Sequence, residues 1–144
     1  MSSRRETLLA YLASVVATAT AGLTPQPMVV RSRVMPFALA ELPAIDLRPL
    51  TEAVETDFRS TQRSLEVQIE VLTRGAIPDQ GADAIIVAIH AALLADTTLG
   101  GRASSIFETA STWTLEDADQ PACALAVTYQ IDYFTPTGDL TTLL

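Results

Sequence analysis

The sequence contains no lysine. Its nine basic residues are all arginine, they stand against 17 acidic residues, and the formal net charge is −8. Broad affinity for nucleic acid requires basic side chains that displace counterions from the phosphates. A basic patch could form from Arg31, Arg33 and Arg48, which fall on predicted strands, together with Arg59 and Arg63, which lie in or beside a predicted polar loop. No row of aromatic residues for base stacking accompanies them, so we expect no sequence-specific nucleic-acid binding.

Cysteine and histidine are nearly absent, with Cys123 and His90 as the single examples. One cysteine excludes an internal disulfide, and Cys123 lies in an apolar strand pattern, which predicts a buried thiol. The usual zinc spacings are missing. Asp117 and Asp119 lack a calcium-loop pattern, and we interpret residues 116–121 as a solvated acidic turn. We therefore expect no metal site and no cofactor.

Catalytic patterns are also missing. A nucleophilic triad would need His90 as its base, oriented by a carboxylate such as Asp83. The sequence has no nucleophile elbow around a serine. Gly100 and Gly101 lack the lysine and the spacing of a phosphate-binding loop. We therefore expect a protein that is not an enzyme, with His90 in a structural or interfacial role.

No apolar run reaches the roughly 20 residues that span a bilayer, so we expect no membrane partner. The N-terminus has some features of a twin-arginine export signal, with Arg4 and Arg5 ahead of an apolar stretch. However, Glu6 follows the arginines directly and the apolar residues after it keep helical spacing. These features favour an amphipathic first helix. An exported small α+β binding protein without enzymatic activity remains the alternative.

The 144 residues, of which 49% are hydrophobic, are sufficient for one domain with a buried core. Alternation of apolar and polar residues predicts strands, and a period of three to four residues predicts helices. We expect helices at 5–21 and 82–95, and strands at 28–34, 42–47, 65–71, 106–115 and 122–134. The last two strands should form an antiparallel hairpin. The polar stretch 49–63 is interpreted as a loop that could be mobile, and 136–144 as a flexible tail.

These elements predict a single α+β domain over residues 1–144. Four to five strands would form a mostly antiparallel or mixed sheet, packed against two helices. A turn at 74–81 separates the central strand from the second helix, and Leu99, Gly100 and Gly101 are expected to end that helix.

The second helix is apolar on two sides. Ile85 and Ile89 belong to one face, while Val87, Ala91 and Leu94 lie on the opposite side. A helix that is apolar all round is normally covered on more than one side, which indicates oligomerisation. The alternative is that the first helix covers the second face. The arginines of the predicted strands are expected to form ion pairs with Glu66, with Glu70 or with a neighbouring subunit. The predicted subunit interface thus comprises Val87, Ala91, Leu94, Arg31, Arg33, Glu66 and Glu70.

Several short motifs occur in an order that matches a known family. They are Met28-Val29-Val30-Arg31-Ser32-Arg33, Leu42-Pro43-Ala44-Ile45, the strand 65–71, Ala82-Asp83, Asp96-Thr97-Thr98-Leu99-Gly100-Gly101 and Tyr133-Phe134-Thr135. In this order and spacing the chain resembles the phage tail terminators, the minor tail protein U group. The resemblance covers most of the chain, and the Leu-Gly-Gly that follows Asp96 is its most specific motif.

The resemblance implies a small structural α+β protein of phages and prophages. Members of this family close the end of a tail tube as a hexameric ring, stop its polymerisation and present a surface to the head-side connector. The implied partners are further copies of the chain, the tail tube protein and the head-tail connector protein. The implied location is the virion tail, and the bacterial cytoplasm during assembly. The family has no catalytic residues to assign.

Overall fold

A five-stranded sheet carries two helices on one face in the computed structural model, which describes residues 1–117 and 120–144. The elements are α1 (Arg4–Thr20), β1 (Met28–Arg31), a short 3₁₀ helix (Leu39–Glu41), β2 (Ala44–Thr56), β3 (Ser60–Arg74), α2 (Pro78–Leu94), β4 (Ser105–Glu116) and β5 (Ala122–Pro136). The strand order is β1-β2-β3-β5-β4. β1 is parallel to β2, and the other neighbours are antiparallel. The predicted single α+β domain with a mixed sheet and two helices is confirmed.

The core lies between the helices and one face of the sheet. In β5, and in β3 from Leu65 to Thr73, every second side chain is buried, as expected for strands with one covered face. Ile69 pairs with Val127 across the two central strands. From α2, Ala82, Ile85, Ile89 and Leu93 enter the same core. This spacing of three to four residues is that of one helix face. Cys123 is buried, as its strand pattern predicted.

The predicted loop at 49–63 is wrong. This stretch forms the distal half of a long β2–β3 hairpin, and only residues 57–59 form its turn. This part of the hairpin is stabilised by ion pairs and hydrogen bonds between polar side chains, and not by burial of apolar ones. The segment therefore lacks the apolar pattern that would have predicted a strand. Pro49 has no N–H to donate to a neighbouring strand. It is tolerated because the pairing of β2 with β3 is irregular at this point, where the register shifts between Pro49 and Thr51.

Other element boundaries differ in ways that follow from local backbone chemistry. β1 ends at Arg31 and does not reach residue 34, because Ser32 has a φ of 50°. α2 begins at Pro78, four residues earlier than predicted, since proline at the first helical position suits the helix start. Its last residue is Leu94, so the double glycine does not end it but belongs to a separate turn. The β4–β5 antiparallel pairing is confirmed. The predicted acidic turn includes Ala118 and Asp119, which lie outside the described residues.

The C-terminal segment 136–144, predicted to be a flexible tail, contacts the domain. The Arg4 N–H donates to the Leu140 carbonyl at 2.7 Å, and the Leu144 N–H donates to the Phe134 carbonyl at 3.1 Å. Hydrogen bonds from the side chains of Thr141 and Thr142 lower the pKa of Asp139 to about 2. In the described part of the chain, neither helix combines the length and the apolar character that a membrane span needs.

Candidate functional site

The second apolar face of α2 remains partly open. Val87 is 61% exposed and Ala91 is also exposed, whereas Leu94 packs partly against the core. α1 packs beside α2 but does not cover Val87 and Ala91, so the alternative that α1 buries this face is wrong for these two residues. Two of the three predicted interface positions on α2 are therefore available to a partner.

β4 carries further exposed apolar side chains. Trp113 is the register partner of Leu125, and Leu115 is the partner of Cys123, so both point to the face of the sheet that carries the helices. Nevertheless Trp113 is 55% exposed and Leu115 is 64% exposed, because α2 packs mainly on β3 and β5 and leaves the edge uncovered. We call Val87, Ala91, Trp113 and Leu115 the α2–β4 surface. The sequence analysis missed the two β4 residues, since apolar residues in a strand pattern are normally assigned to the core.

The edge of β4 is open. Among the described strands it pairs only with β5, and Ser105–Glu116 contains no proline and no basic residue. Native proteins usually protect long edge strands with lysines, prolines or bulges. The register shift between Glu108 and Ala110 is the one such feature of β4. A 12-residue edge strand of this kind can accept a further strand.

His90 lies where α2 meets β4 and β5. Its Nδ1 is 2.9 Å from the Tyr129 hydroxyl and 3.6 Å from Oε2 of Glu108. Burial and the nearby Glu108 raise the pKa of Tyr129, so its phenol stays protonated and can donate to the imidazole. The carboxylate beside His90 is thus Glu108 and not Asp83. The geometry fits the predicted structural role, since it links a helix to two strands.

The charged residues predicted for the interface are dispersed. Arg31 donates two hydrogen bonds to Glu6, at 2.8 and 3.1 Å, and Arg33 donates two to Glu41, both at 2.9 Å. The prediction that these arginines pair within the chain with Glu66 or Glu70 is therefore wrong. Glu66 instead accepts a hydrogen bond from the Thr51 hydroxyl. Arg31 and Arg33 still lie beside the second edge of the sheet, where their alkyl and guanidinium groups remain partly exposed.

A groove crosses the helix-free face of the sheet beneath the segment 32–42. It has a volume of about 640 Å³. Apolar side chains of Met35 and Leu39 line one side, and Glu70 and Arg48 line the floor. Arg48 forms an ion pair with the fully buried Asp46, which also accepts the Arg33 N–H at 3.3 Å. This internal pairing holds the segment against the sheet.

The Asp96–Gly101 motif folds into a closed turn. The Asp96 carboxylate accepts hydrogen bonds from the Thr98 hydroxyl at 2.6 Å, the Thr98 N–H at 3.0 Å and the Gly100 N–H at 2.9 Å. These bonds, the Thr98 hydroxyl first, lower the pKa of Asp96. Leu99 is buried in the core with a φ of 50°. The buried Leu99 side chain thus anchors the turn that follows α2 to the core.

Gly100→Ala should lower the free energy of unfolding by about 1–3 kcal/mol. Gly100 has a φ of +68°, and an added Cβ would lie 2.5 Å from Nη1 of Arg102. The Arg102 guanidinium, which lies 4.2 Å from the centre of the Tyr11 ring, would have to shift. Chemical denaturation followed by circular dichroism measures the change. Gly22→Ala is the matched control, because nothing lies within 4 Å of the position that its new Cβ would take and its φ is not positive. Equal stability of the two variants would contradict the strain argument.

Chemistry based on metals or thiols has little support in the part of the chain that the structure describes. Those residues contain no group of three or more histidine, cysteine, aspartate or glutamate side chains that could hold a metal ion. Burial raises the pKa of the Cys123 thiol and keeps it in its unreactive protonated form. The features that stand out are therefore surfaces: the α2–β4 surface, the open β4 edge and the groove.

Comparison with known proteins gives limited information. No family model matches the chain, and no curated protein matches it. Among solved structures, a chain in the virion of a native gene transfer agent (GTA) particle is 21% identical, with 84% of each chain covered and a TM-score of 0.46. A likeness of this size establishes neither a family nor a function for this chain.

Proposed function

We propose that the chain is a structural tail protein of a phage or prophage particle. Several copies, six by the family resemblance, form a ring that caps the tail tube, stops its polymerisation and provides the surface for head joining. The chain has no catalytic role in this proposal. Its partners are further copies of itself, the tail tube protein and the head-tail connector protein. It acts in the virion tail, and in the bacterial cytoplasm during assembly.

The observation that carries the proposal is the α2–β4 surface beside the open β4 edge. Large exposed apolar residues that cluster on one side of a protein mark interaction sites. An open edge strand adds backbone donors and acceptors that a partner can use. Together they form a surface that a second protein subunit would cover. A ring subunit needs such a surface on its flank.

The charge of the chain supports a role around a DNA channel. The net charge is −8, and an acidic channel wall repels phosphates, so that DNA can pass without binding. The helix-free face of the sheet carries Glu66, Glu70 and Asp132 at alternating strand positions. The predicted interface residues Glu66 and Glu70 thus belong to a polar face that could line the channel or contact a ring neighbour.

Two measurements test this proposal. Light scattering after size-exclusion chromatography gives the mass of the protein alone and after incubation with tail tubes. Electron microscopy shows whether rings close the tube ends, and tube length shows whether growth stops. We expect ring-sized particles on the tubes and shorter tubes. A protein that stays monomeric with tubes present, and leaves their length unchanged, would overturn the proposal.

A matched pair of variants tests the surface. Leu115→Ser should abolish ring formation, whereas Leu144→Ser should leave it intact. The two leucines are almost equally exposed, at 64% and 63%, but only Leu115 belongs to the α2–β4 surface. Since both side chains are already largely exposed to water, neither substitution should change the free energy of unfolding by more than about 0.5 kcal/mol. Equal assembly of both variants would exclude this surface as the ring contact.

A further inference from the structure

The groove on the helix-free face of the sheet has an apolar floor and an apolar wall. Leu72 of β3 and Ala124 of β5 are register partners, half-buried, and belong to the floor. Met35 and Leu39, which belong to the wall formed by the segment 32–42, are exposed. The volume of about 640 Å³ lies within the range of about 300–1,000 Å³ that is typical of ligand sites. The groove therefore has the size and the apolar lining of a binding site.

The wall is held in place by contacts within the chain. Arg33 donates two hydrogen bonds to Glu41, and its guanidinium carbon lies 4.2 Å from the centre of the Phe37 ring. The Arg33 Nε donates to the Met35 carbonyl at 3.0 Å, and Arg48 donates to the Arg33 carbonyl at 3.1 Å. A site that is formed before its ligand arrives loses less conformational entropy on binding. These contacts thus preorganise the groove.

The charges of the groove favour a cationic ligand. Its two arginines are each neutralised by a carboxylate of the same chain. Glu70, which is half-buried, and Glu116, which is exposed, also line the groove. Neither of these glutamates forms an ion pair with another residue that the structure describes. Two carboxylates without a partner attract basic groups and disfavour anions such as phosphate.

The spacing of the two glutamates indicates an extended ligand. Glu70 is the register partner of Ala126, and Glu116 is that of Ala122, so the glutamates flank β5 from its two neighbouring strands. At about 3.3 Å per residue and 4.8 Å per strand, their Cα atoms are roughly 16 Å apart. In an extended peptide, alternate side chains point the same way, and residues four positions apart are separated by roughly 13 Å. Two long basic side chains at that spacing reach both glutamates.

Arg48 supplies donors for the backbone of such a peptide. Its Nη2 donates to Asp46 and to the Arg33 carbonyl, whereas its Nε and Nη1 donate to no residue in the described part of the chain. The side chain is 36% exposed, so a ligand can approach it. Because Asp46 already balances its charge, the suitable acceptor is a neutral one, and a peptide carbonyl is of that kind.

We propose that the groove binds an extended peptide segment of another protein, in which two basic residues four positions apart flank an apolar residue midway between them. The basic side chains pair with Glu70 and Glu116. The apolar side chain packs between Leu72 and Met35, and a peptide carbonyl accepts a hydrogen bond from Arg48. The whole site belongs to one copy of the chain, so it exists with or without the proposed ring.

Fluorescence anisotropy with a synthetic peptide tests the proposal. The probe is fluorescein-labelled Ser-Arg-Ser-Leu-Ser-Arg-Ser, and the protein is kept at concentrations at which light scattering detects only monomer. We expect saturable binding, and binding weaker by about tenfold or more when glutamate replaces both arginines of the peptide. Equal or tighter binding of the acidic peptide, or saturable binding of neither, would overturn the proposal.

A matched pair of charge variants locates the site. Glu70→Gln/Glu116→Gln should weaken binding of the basic peptide by about tenfold. Glu55→Gln/Asp83→Asn removes two exposed carboxylates outside the groove and should bind the peptide as the natural sequence does. Both variants lose two negative charges, so they differ only in where the charge is lost. Equal binding by the two variants would show that the peptide does not occupy the groove.

The apolar wall is tested separately. Met35→Ser should weaken binding by about fivefold, because the leucine of the peptide loses apolar contact area. Leu144→Ser removes a comparably exposed apolar side chain outside the groove and should leave binding unchanged. Circular dichroism checks that both variants are folded. If Met35→Ser binds the peptide as tightly as Leu144→Ser does, the proposed mode of binding is wrong.

Two further results would assign the groove to another occupant and overturn the proposal. One is binding of hexylammonium, a compact apolar cation, as tight as that of the peptide. The other is self-association that Glu70→Gln/Glu116→Gln abolishes and the peptide does not inhibit, which would make a second copy the occupant. The peptide measurements need neither a ring nor tail tubes. Their failure therefore leaves the proposed function standing, and failure of the ring leaves the peptide site standing.

Discussion

Glu52→Gln should lower the free energy of unfolding by about 3 kcal/mol, one of the largest effects expected in this chain. The Glu52 side chain is only 8% exposed and connects three elements. Its Oε1 accepts hydrogen bonds from Arg5 of α1 at 2.8 Å and from Arg63 of β3 at 3.0 Å. Its Oε2 accepts the Tyr133 hydroxyl of β5 at 2.6 Å. Removal of the carboxylate charge leaves two arginines without their counterion.

The size of the effect depends on Arg63. Its side chain is 14% exposed, so it cannot regain full hydration when the carboxylate is lost, whereas Arg5 is much closer to solvent. Because Arg5 can regain most of its hydration, we place the loss of stability at the lower end of the range for broken buried ion pairs. Tyr133→Phe should cost less, about 1.5–3 kcal/mol, because it removes one hydrogen bond and keeps both ion pairs.

Urea denaturation followed by circular dichroism measures these changes. Glu55→Gln is the matched control, because Glu55 lies three residues along the same strand and is exposed. Its change in unfolding free energy should be within about 0.5 kcal/mol. If Glu52→Gln and Glu55→Gln are equally stable, the cluster does not hold α1 on the hairpin.

Ile89→Ala and Val87→Ala should separate stability from assembly. Ile89 is fully buried in the core, so its truncation should cost about 2–5 kcal/mol through lost apolar contacts and a residual cavity. Val87, two residues earlier on the same helix, is exposed, so its truncation should change stability by no more than about 0.5 kcal/mol. In the proposed ring, however, Val87 lies in the contact, and its loss should weaken assembly.

Thermal denaturation and light scattering on the same samples check this pair. We expect a large drop in melting temperature for Ile89→Ala and a lower assembled fraction for Val87→Ala at an unchanged melting temperature. Normal assembly of Val87→Ala on tail tubes would remove this residue from the interface. A small effect of Ile89→Ala would mean that the core closes around the smaller side chain.

The sequence pattern predicted the two helices and the central strands correctly because their apolar periodicity reflects one covered face. It failed for residues 49–63, where polar side chains occupy both faces of a strand. That hairpin is held by backbone pairing with β3 and by the Glu52 cluster. Arg5 and Glu52 are 47 residues apart, so no local pattern indicates that they form an ion pair.

The residues of the candidate surfaces could likewise be predicted from the sequence only in part. The second apolar face of α2 was evident from spacing alone, and Val87 and Ala91 are indeed exposed. Trp113 and Leu115 were not identifiable, because whether a strand residue is covered depends on where the helices lie over the sheet. The pairing of Arg31 with Glu6 and of Arg33 with Glu41 likewise depends on how α1 and the segment after β1 fold back.

The sequence alone thus determined the α+β class, the periodic core and the scarcity of histidine and cysteine, since these follow from composition and local spacing. Only the tertiary structure decided which strand forms the open edge, which apolar residues stay uncovered and which carboxylate is buried among arginines. The order β1-β2-β3-β5-β4 sets these outcomes, because it places the acidic, apolar β4 at one edge and the arginine-bearing β1 at the other.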